Sequence, residues 1–420
     1  MIRLQSQLTA AALLPKVRRM FELSAAKIHS IEQTWSPSSG SPVCTVNGRY
    51  TSRGWTEWTQ GFQFGSALLQ FDATGDPEFL DIGRDRTAAL MAPHITHTGV
   101  HDHGFNNIST YGNLLRLMNE GRIPENRWER RFYELALKSS GAVQAARWSR
   151  TADGAGYIYS FNGPHSLFVD TIRSVRVLVV AHQLGHMLMA ENDRRISLLD
   201  RAIAHLRATA KYSVYYGEGR DAFDIRGRTA HECVFNTNDG NFRCPNSQQG
   251  YSPFTTWTRG LAWAICGFAE QLEFFDTLPD QSDLIPVLEK AARATCDFYI
   301  DNTRSDGIPV WDTGAPGSDE PIDSSAASIA AQGLLRLGSR SNDQRYLQAG
   351  LTIANSLYDE PYLSSDANHQ GLILHSIYHR PNGWNWEPGE SSMWGDYHAR
   401  ELGLYLLRLA ENGPYLKFWL

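Results

Sequence analysis

The stretch TTWTRGLAWAICGFAEQLEFF, residues 255–275, places apolar side chains at steps of three and four residues. Such steps bring side chains onto one face of an α-helix. Here that face carries Trp257, Leu261, Ala264, Phe268, Leu272 and Phe275. The stretch therefore predicts a long helix from about Thr255 to Phe275 with these residues on one face.

The same periodicity recurs along the chain and is interrupted by clusters of Gly, Asn, Asp and Pro. It predicts eleven further helices, over residues 5–32, 59–73, 77–91, 106–119, 126–146, 167–184, 194–214, 283–302, 324–337, 343–357 and 392–410. Short turns join several of them, at residues 71–77, 190–193 and 338–343. In each turn, a polar residue before the second helix can cap its free N–H groups.

The order of these helices predicts the fold. Twelve helices in repeated hairpins favour an all-α fold, a closed (α/α)6 toroid made of six helical hairpins. A chain of 420 residues is long enough for two domains. However, no linker rich in Ser, Gly or Pro divides it, so we expect a single domain over residues 1–420.

The composition indicates a ring-stacking ligand and argues against nucleic acid. The chain has 12 Trp, 17 Tyr and 18 Phe, more aromatic residues than a core needs. Flat apolar faces with polar edges suit sugars and bases alike. The formal net charge is −6 and the pI is about 6.2. Surfaces that track phosphates are usually basic, so we expect no nucleic-acid partner.

The N-terminal segment MIRLQSQLTAAALLPKVRRMF, residues 1–21, has an apolar patch about as long as a signal-peptide core. Pro15 and the basic residues 16–19 interrupt it, and no cleavage site is clear, so we expect a cytoplasmic protein. A periplasmic location stays open if the N-terminus was trimmed. No stretch approaches the roughly 20 apolar residues of a membrane span, so no membrane partner is expected.

The cysteines lack a C-x-x-C spacing, which favours free thiols, although a Cys233–Cys244 bridge stays open.

Histidines cluster in two places where a metal site has to be weighed. One place is the run His94, His97, His101 and His103, and the other is HQLGH, residues 182–186. Two imidazoles four residues apart on a helix can share an ion. HQLGH lacks the glutamate that an H-E-x-x-H metalloprotease motif needs as a base, and its neighbours are apolar. We therefore predict histidines with a structural role in the core and no metal.

Two aspartates lie at predicted helix starts. Asp102 lies in HDHGF, residues 101–105, and Asp170 opens an apolar stretch after an aromatic loop. An aspartate at this place usually caps the helix, and position alone favours that interpretation. The long segments between hairpins, residues 96–105, 152–169, 217–254, 301–323 and 363–392, hold most of the His, Asp, Trp and Asn residues. Gathered at one end of a toroid, they would form a polar pocket lined by aromatic rings.

The stretch QGYSPFTTWTRGLAW, residues 249–263, resembles the Q-G-Y-x(5)-W-[ST]-R-G-x-A-W block of the unsaturated glucuronyl hydrolases, glycoside hydrolase family 88. Further matches follow in register over nearly the whole chain. They are WTQGF at residues 58–62, HDHGF at 101–105, Val169-Asp170, His231, GIPVWD at 307–312, DSSA at 323–326 and WGDY at 394–397. One such block is weak evidence, but eight in order are strong.

This resemblance implies the site residues and the substrate. Asp170 corresponds to the family's general acid/base and Asp102 to its second essential carboxylate. The positions that line the subsite for the unsaturated uronic acid are Trp58, Phe62, His101, His231, Gln249, Trp257, Arg259 and Trp263. The chain departs from the family in the loop before Asp170, where Phe161 stands for a tryptophan, and in a longer stretch between Asp170 and His231. The resemblance implies no cofactor.

The implied reaction starts at the C4=C5 double bond of a terminal uronic acid made by a polysaccharide lyase. This vinyl ether must be protonated at C4, yet a solvated Asp has a pKa of about 3.9. Burial among Phe161, Tyr159 and Trp263, with a second carboxylate nearby, would raise one of the two pKa values. We therefore predict that Asp170 donates the proton, that the pair titrates as a coupled unit, and that water adds at C5.

Several alternatives stay open. Arg259 either pairs with the sugar carboxylate or forms a salt bridge under its helix. Trp257 and Trp263 are six residues apart, so we expect one to stack on the sugar and the other to pack in the core. The rival functions are an unsaturated rhamnogalacturonyl hydrolase, a catalytically idle sugar-binding toroid and a metallohydrolase. The parent polysaccharide is open, as is the choice between monomer and homodimer.

Overall fold

Helices make up most of the structure, a computed structural model that describes residues 1–54, 57–279, 282–317, 319–383 and 387–420. In these ranges the helices are α1 (Ala10–Thr34), α2 (Gln60–Thr74), α3 (Pro77–Leu90), α4 (Ala92–Ile95), α5 (His103–Asn107), α6 (Asn113–Asn119), α7 (Arg127–Ala146), α8 (Thr171–Ser174), α9 (Arg176–Gln183), α10 (Leu198–Ala208), α11 (Thr258–Phe275), α12 (Ile285–Asn302), α13 (Ser324–Ser341), α14 (Gln344–Leu357) and α15 (Met393–Ala410). The strands are β1 (Cys44–Val46), β2 (Arg49–Thr51), β3 (Trp148–Ser149), β4 (Tyr157–Ile158), β5 (Ser166–Phe168), β6 (Met187–Ala190), β7 (Arg194–Ser197), β8 (Glu232–Phe235) and β9 (Phe242–Asn246).

Apart from α4 and the first residues of α5, which lie outside the predicted ranges, these helices fall into the twelve predicted segments. α4 continues α3, π-helical residues 108–112 join α5 to α6, and α8 runs on into α9. Asp76 and Asp343 cap α3 and α14, as predicted. The boundaries differ by a few residues: α11 begins at Thr258 because Trp257 has extended backbone, with φ −64° and ψ 115°.

Within the described ranges, six of the segments form a closed inner ring in the order α2, α5–α6, α8–α9, α11, α13 and α15, with α15 packed again on α2. The segments α1, α3, α7, α10, α12 and α14 pack around them. In α11 every residue except Glu273 is buried, whereas α7 buries one face, as expected for inner and outer helices. This is the predicted all-α (α/α)6 toroid. None of the helices in the described part of the chain is both long and apolar enough to cross a membrane.

The short strands pair into small antiparallel sheets beside the ring. The pairs are β1–β2, β3–β4 and β6–β7, and β5, β8 and β9 form a three-stranded sheet. In that sheet Phe168 pairs with Glu232, and the N–H of Val169 donates to the carbonyl of His231 at 3.0 Å. The sheet therefore brings Asp170, the next residue along the chain, close to His231.

The turn at residues 190–193 was predicted to join two helices. In the structure it connects β6 and β7 in a hairpin, so this prediction is wrong. Asn192 and Asp193 have positive φ values of 57° and 55°, which a tight hairpin turn requires and these residue types tolerate. Helix α10 therefore begins at Leu198, and Ser197 caps it. This hairpin lies in the stretch between Asp170 and His231 that looks longer than in the family.

The histidines of HQLGH are not core residues, contrary to the prediction. His182 lies in the last turn of α9 and His186 follows it, and both are half-buried. Gly185, with φ 74°, ends the helix between them, so the two imidazoles do not share a helical face. His94 and His103 are buried, which agrees with a structural role. Among the described residues, no group of three or more His, Cys, Asp or Glu side chains has a metal-binding arrangement.

All five cysteines are free thiols. Cys233 is buried and Cys244 is exposed. Cys244 pairs across the sheet with Val234, the residue after Cys233. Side chains alternate between the two faces of a strand, so the two thiols point to opposite faces and do not bridge.

Candidate active site

A pocket of about 820 Å³ opens at the end of the toroid where the inner helices begin. Asp102, Asp170 and Trp257 each directly precede an inner helix. The N–H groups at helix N-termini carry partial positive charge, so this end of the ring favours an anionic ligand. The sequence-predicted residues that line the pocket are Trp58, His101, Asp102, Phe161, Asp170, Gln249, Trp257, Arg259 and Trp263.

Two predicted residues, Phe62 and His231, stand directly behind the pocket wall. The Phe62 ring lies 5.9 Å from the ring of Trp58 in an edge-on arrangement. The His231 ring lies 4.4 Å from the ring of Trp257. Both residues therefore support tryptophans that face the pocket.

The two aspartates meet at one imidazole. Nε2 of His101 lies 3.1 Å from Oδ1 of Asp170 and 3.7 Å from Oδ1 of Asp102. The three residues are 2%, 8% and 7% exposed, so the cluster is almost removed from water. A buried imidazole between two carboxylates is an arrangement suited to moving protons.

Neither aspartate caps its helix. Asp102 precedes α5 and Asp170 precedes α8, yet neither carboxylate accepts a hydrogen bond from a helix N–H. Both backbones are too close to helical for the capping geometry, with ψ of 16° and −24°. The capping interpretation, which position alone favours, is therefore wrong for both residues.

The pKa values of the cluster are shifted in opposite directions. Burial and the nearby Asp170 charge raise the pKa of Asp102 above its usual range, against the opposing effect of His101. Burial would also raise the pKa of Asp170, but the hydrogen bond and charge of His101, with His231 and Arg259, lower it. Burial would lower the pKa of His101, but Asp102 and Asp170 outweigh it and raise this value.

These directions correct one expectation. The sequence argument makes Asp170 the group that holds a proton near neutral pH. The pKa of Asp170 is instead lowered, because His101 donates to its carboxylate and stabilises the charge, whereas the pKa values of His101 and Asp102 are raised. The sequence did not show that the imidazole lies between the two acids.

His231 has a fixed tautomer. The backbone N–H groups of Gln248 and Gln249 point at its Nδ1, at 3.1 and 3.4 Å, so Nδ1 is the acceptor nitrogen. Burial lowers the pKa of His231 to about 4, so the ring is neutral at physiological pH. The proton then lies on Nε2, a buried donor that no hydrogen bond in the described chain engages.

The guanidinium of Arg259 is occupied within the protein. Nη1 donates to Oδ2 of Asp323 at 2.9 Å and to the carbonyl of Ile377. Nη2 donates to Oε1 of Gln249 at 2.6 Å and to the carbonyl of Tyr378 at 2.8 Å. Arg259 was expected either to pair with the sugar carboxylate or to form a salt bridge within the protein. In the structure it forms the buried salt bridge, with Asp323. Since its four Nη protons are used, no bidentate edge is left for a substrate carboxylate.

Both tryptophans of the W-T-R-G-L-A-W block line the pocket, although their spacing predicted that only one would. The spacing rule applies within a helix, whereas Trp257 lies before α11 on extended backbone. Only Trp263 is on the helix. The prediction failed because the helix starts three residues later than the periodicity indicates.

Below Trp263 an ionic cluster closes the axis of the toroid. The Trp263 ring lies 5.0 Å from the ring of His398 and 6.0 Å from the guanidinium carbon of Arg173. Arg173 is fully buried and pairs with Glu270 at 3.0 Å and Glu401 at 2.5 Å. These side chains give the pocket a floor.

Sequence reasoning missed part of the aromatic wall, namely Phe105, Phe168 and Tyr378. The hydroxyl of Tyr378 accepts a hydrogen bond from Nε1 of Trp58 at 3.4 Å. Phe105 lies in the HDHGF block and could have been found there. Tyr378 lies in a long irregular loop without periodicity, so no local pattern signals that its side chain turns toward the pocket.

Known proteins resemble this chain over most of its length. No protein-family model matches it. It is 26% identical over 353 residues to the unsaturated glucuronyl hydrolase of Formosa agariphila, covering 82% of this chain and 78% of that one. It is 28% identical over 380 residues to that of Bacillus sp. strain GL1, with coverage of 87% and 90%. The chain is a relative of the unsaturated glucuronyl hydrolases. This confirms the resemblance inferred from the motifs, and the chain is an enzyme of the glycoside hydrolase class.

Solved structures share the fold. The crystal structure of the Bacillus sp. GL1 unsaturated glucuronyl hydrolase, responsible for the degradation of glycosaminoglycan, aligns with a TM-score of 0.75 at 22% identity, covering 95% of this chain and 97% of that one. A variant of the Streptococcus agalactiae unsaturated glucuronyl hydrolase, complexed with dGlcA-GalNAc6S, aligns with a TM-score of 0.69 at 19% identity, covering 96% and 93%. The predicted toroid is thereby confirmed.

Proposed function

We propose that this protein removes the terminal 4,5-unsaturated uronic acid from oligosaccharides released by polysaccharide lyases. The observation that carries the proposal is the meeting of two buried carboxylates at Nε2 of His101, inside a pocket walled by aromatic rings. Aromatic faces suit stacking on a pyranose, and converging helix N-termini suit the charge of a uronate. The names of the relatives, and the sugar bound in the S. agalactiae structure, support this substrate class.

The proposed reaction is a hydration of the C4=C5 vinyl ether. Protonation at C4 leaves positive charge shared by C5 and the ring oxygen. Water then adds at C5 and gives a hemiketal, which opens by breaking the bond between C5 and the ring oxygen. The hemiacetal left at C1 collapses to an aldehyde and releases the shortened oligosaccharide. The glycosidic bond thus breaks indirectly, so the rule that relates carboxylate separation to retention or inversion does not apply.

Asp170 is the proposed acid, and His101 is its proposed source of protons. The raised pKa of His101 favours a proton on Nε2, 3.1 Å from the Asp170 carboxylate. This proton passes to Asp170 when an anionic substrate enters, because the substrate carboxylate disfavours a second negative charge in a dry pocket. Asp170 then protonates C4 and removes a proton from the water that adds at C5, which restores the acid.

Sugar binding is assigned to aromatic faces and neutral donors. Trp58, Phe161, Trp257 and Trp263 offer rings to the pyranose. Gln249, which lines the pocket, is assigned to its polar edge, and His231 supports Trp257 from behind. Phe62 supports this wall from behind, and Arg259, which itself lines the pocket, orients Gln249 through the 2.6 Å hydrogen bond.

The test is a panel of lyase-generated disaccharides, followed by loss of the double-bond absorbance. Wild-type protein should consume at least one glucuronate-type product. Asp170→Asn should lower kcat by at least ~100-fold, the usual size of a general acid's contribution. Asp76→Asn, which alters an exposed cap of α3 far from the pocket, is the matched control and should keep the wild-type rate.

Two other outcomes would replace the proposal. Turnover of the unsaturated rhamnogalacturonan product alone would assign the protein to the rhamnogalacturonyl type. Binding of the disaccharides with no loss of absorbance by wild-type protein would make it a sugar-binding toroid. Wild-type turnover by Asp170→Asn would refute the role of Asp170.

A further inference from the structure

Behind the pocket wall lies a buried carboxylate that the proposed reaction does not use. Glu232, in β8 next to His231, is 1% exposed. Its Oε1 accepts hydrogen bonds from Nδ2 of Asn162 at 3.0 Å and Oγ of Ser166 at 2.5 Å, and its Oε2 accepts from Nδ2 of Asn246 at 2.6 Å. All three donors are neutral. A carboxylate only accepts hydrogen bonds, so one buried group can gather several donors from separate segments.

The first segment that Glu232 ties down is the turn of residues 160–166. Within it the Ser166 N–H donates to the carbonyl of Gly163, and Oγ of Ser160 lies 2.6 Å from Oγ of Ser166. The turn presents Phe161, which is 41% exposed and lines the pocket. Its ring stacks on that of His101, with centroids 6.1 Å apart and planes at 17°. The position of Phe161 over the proton-carrying imidazole thus depends on this turn.

The second segment is the end of β9. Asn246 is the last residue of that strand and pairs directly with Glu232. Residues 247–249 follow at once, and the N–H groups of Gln248 and Gln249 fix the tautomer of His231. Asn246 is therefore the anchor from which the opposite side of the pocket begins.

We propose that Glu232 is a positioning residue that sets the spacing between the two sides of the pocket, the Phe161 turn and the Gln248–Gln249 segment. It contacts neither the carboxylate pair nor the space for the sugar. Its effect passes through Asn162 and Ser166 to one side and through Asn246 to the other. The kinetic part of this inference rests on the proposed function, whereas the effect on the two segments does not.

Glu232→Gln tests the inference with almost no change in shape. The new amide keeps an acceptor for Asn162 and Ser166 but sets its NH2 against the NH2 of Asn246, so two donors face each other. We expect KM for the unsaturated disaccharide to rise about tenfold, equivalent to about 1.4 kcal/mol, with kcat changed less than about threefold. Amide hydrogen exchange should accelerate at residues 160–166 and 247–250 and stay unchanged in α13 and α14.

A second substitution should repair the first. Glu232→Gln with Asn246→Asp gives the new amide a carboxylate to donate to, so KM and both exchange rates should return toward wild-type values. Asn162→Ala removes one of the two links to the Phe161 turn, leaves that of Ser166, and does not touch the Asn246 side. It should raise KM and exchange at residues 160–166, with residues 247–250 and the melting temperature unchanged. This single variant keeps the test valid if Glu232→Gln folds poorly.

The inference would be overturned by unchanged exchange in both segments of Glu232→Gln, or by lowered thermal stability with wild-type KM. Failure of the double variant to recover would also count against it. If wild-type protein consumed no unsaturated disaccharide, the proposed function would fail, and the exchange measurements would still decide the role of Glu232.

Discussion

Asp102 and Asp170 contact the same nitrogen of His101 but have opposite electrostatic environments. The raised pKa of Asp102 means that its ionised form is disfavoured by folding, so its stabilising effect exists at low pH and is lost as pH rises through the folded value. The lowered pKa of Asp170 has the reverse meaning: its carboxylate stabilises the fold above the unfolded pKa. The two residues should therefore respond differently to removal of charge.

The first prediction uses the asparagine variants at pH 7. Asp102→Asn should raise the melting temperature and Asp170→Asn should lower it. Each shift should correspond to a change on the order of 1 kcal/mol in the free energy of unfolding. Both should lower turnover of the unsaturated disaccharide. Calorimetry with the absorbance assay measures the two effects. Shifts of the same sign in both variants would contradict the opposite pKa shifts of the two aspartates.

The second prediction concerns the proton on His101. Wild-type kcat should fall as pH rises through the pKa of His101, which lies above the usual value of 6.5, because Nε2 then loses its proton. His101→Gln keeps a donor for Asp170 but cannot titrate. It should lower kcat by ~100-fold and abolish that alkaline decline. A variant that keeps the wild-type pH profile would show that another group supplies the proton.

At the scale of elements, the close approach of α5 and α8 brings the carboxylates together. Gly104 follows the HDH sequence, and a Cβ built on it would lie 1.9 Å from the carbonyl oxygen of Ser174 in α8. The backbone N–H of Gly104 also donates to Oγ of Ser174 at 3.0 Å. Only glycine permits this contact, so the glycine of the H-D-x-G-F block is explained by helix packing.

The third prediction follows from this contact. Gly104→Ala should push α5 and α8 apart and lower the free energy of unfolding by about 1–3 kcal/mol. It should change kcat by a larger factor than KM, because the carboxylates move apart. Gly413→Ala, where the nearest atoms lie at an ordinary 3.5 Å, is the matched control and should be neutral. Chemical unfolding and steady-state kinetics on both variants would measure the difference. Equal stability of the two variants would refute the packing argument.

The sequence predicted the elements better than their ends. The α11 face was visible because inner-ring packing imposes the same three- and four-residue spacing that periodicity detects. The turn at residues 190–193 was misassigned because Asn and Asp suit a helix cap and a hairpin turn equally well. Only pairing between β6 and β7, a contact between separate stretches, distinguishes the two. The sequence left two uses of Arg259 open and could not decide between them, since its partner Asp323 is 64 residues away.

At the scale of the whole molecule, one buried acid joins the helices that close the ring. Asp72, near the end of α2, lies 2.8 Å from Nη1 of Arg116 in α6 and 2.7 Å from Nη2 of Arg408 in α15. Burial would raise its pKa, but the two guanidinium groups outweigh this and lower it. The cluster lies at the end of the toroid away from the pocket.

The fourth prediction concerns this clamp. Asp72→Asn removes one of the two carboxylates that Arg116 and Arg408 share, while Glu120 still pairs with both at 3.1 and 2.6 Å, and it should lower the free energy of unfolding by about 1–3 kcal/mol at pH 7, with KM unchanged. The stabilising effect of Asp72 exists above its unfolded pKa and is lost as pH falls through the lowered folded value. The difference in free energy of unfolding between wild type and variant should therefore become smaller as the pH falls below 3.8, the usual pKa of Asp. Urea unfolding at pH 7 and pH 3 measures it, and a constant gap would contradict the assignment.

The prediction of the toroid succeeded because every helix pair repeats one packing pattern, so local periodicity carries the global arrangement. The site depends on single contacts between distant segments, which periodicity does not encode. The family motifs named nine residues that line the pocket but did not indicate the pKa shifts of the two aspartates.

The floor made by Trp263, His398 and Arg173 also decides how a polymer can be attacked. A pocket closed at its base has a single entrance. A glycan can therefore enter only with its terminal sugar, and its internal glycosidic bonds do not reach the carboxylates. Under the proposed function, the enzyme would therefore release one terminal sugar for each binding event. The released monosaccharide must leave through the same entrance before the next substrate binds. We therefore expect it to act as a competitive inhibitor.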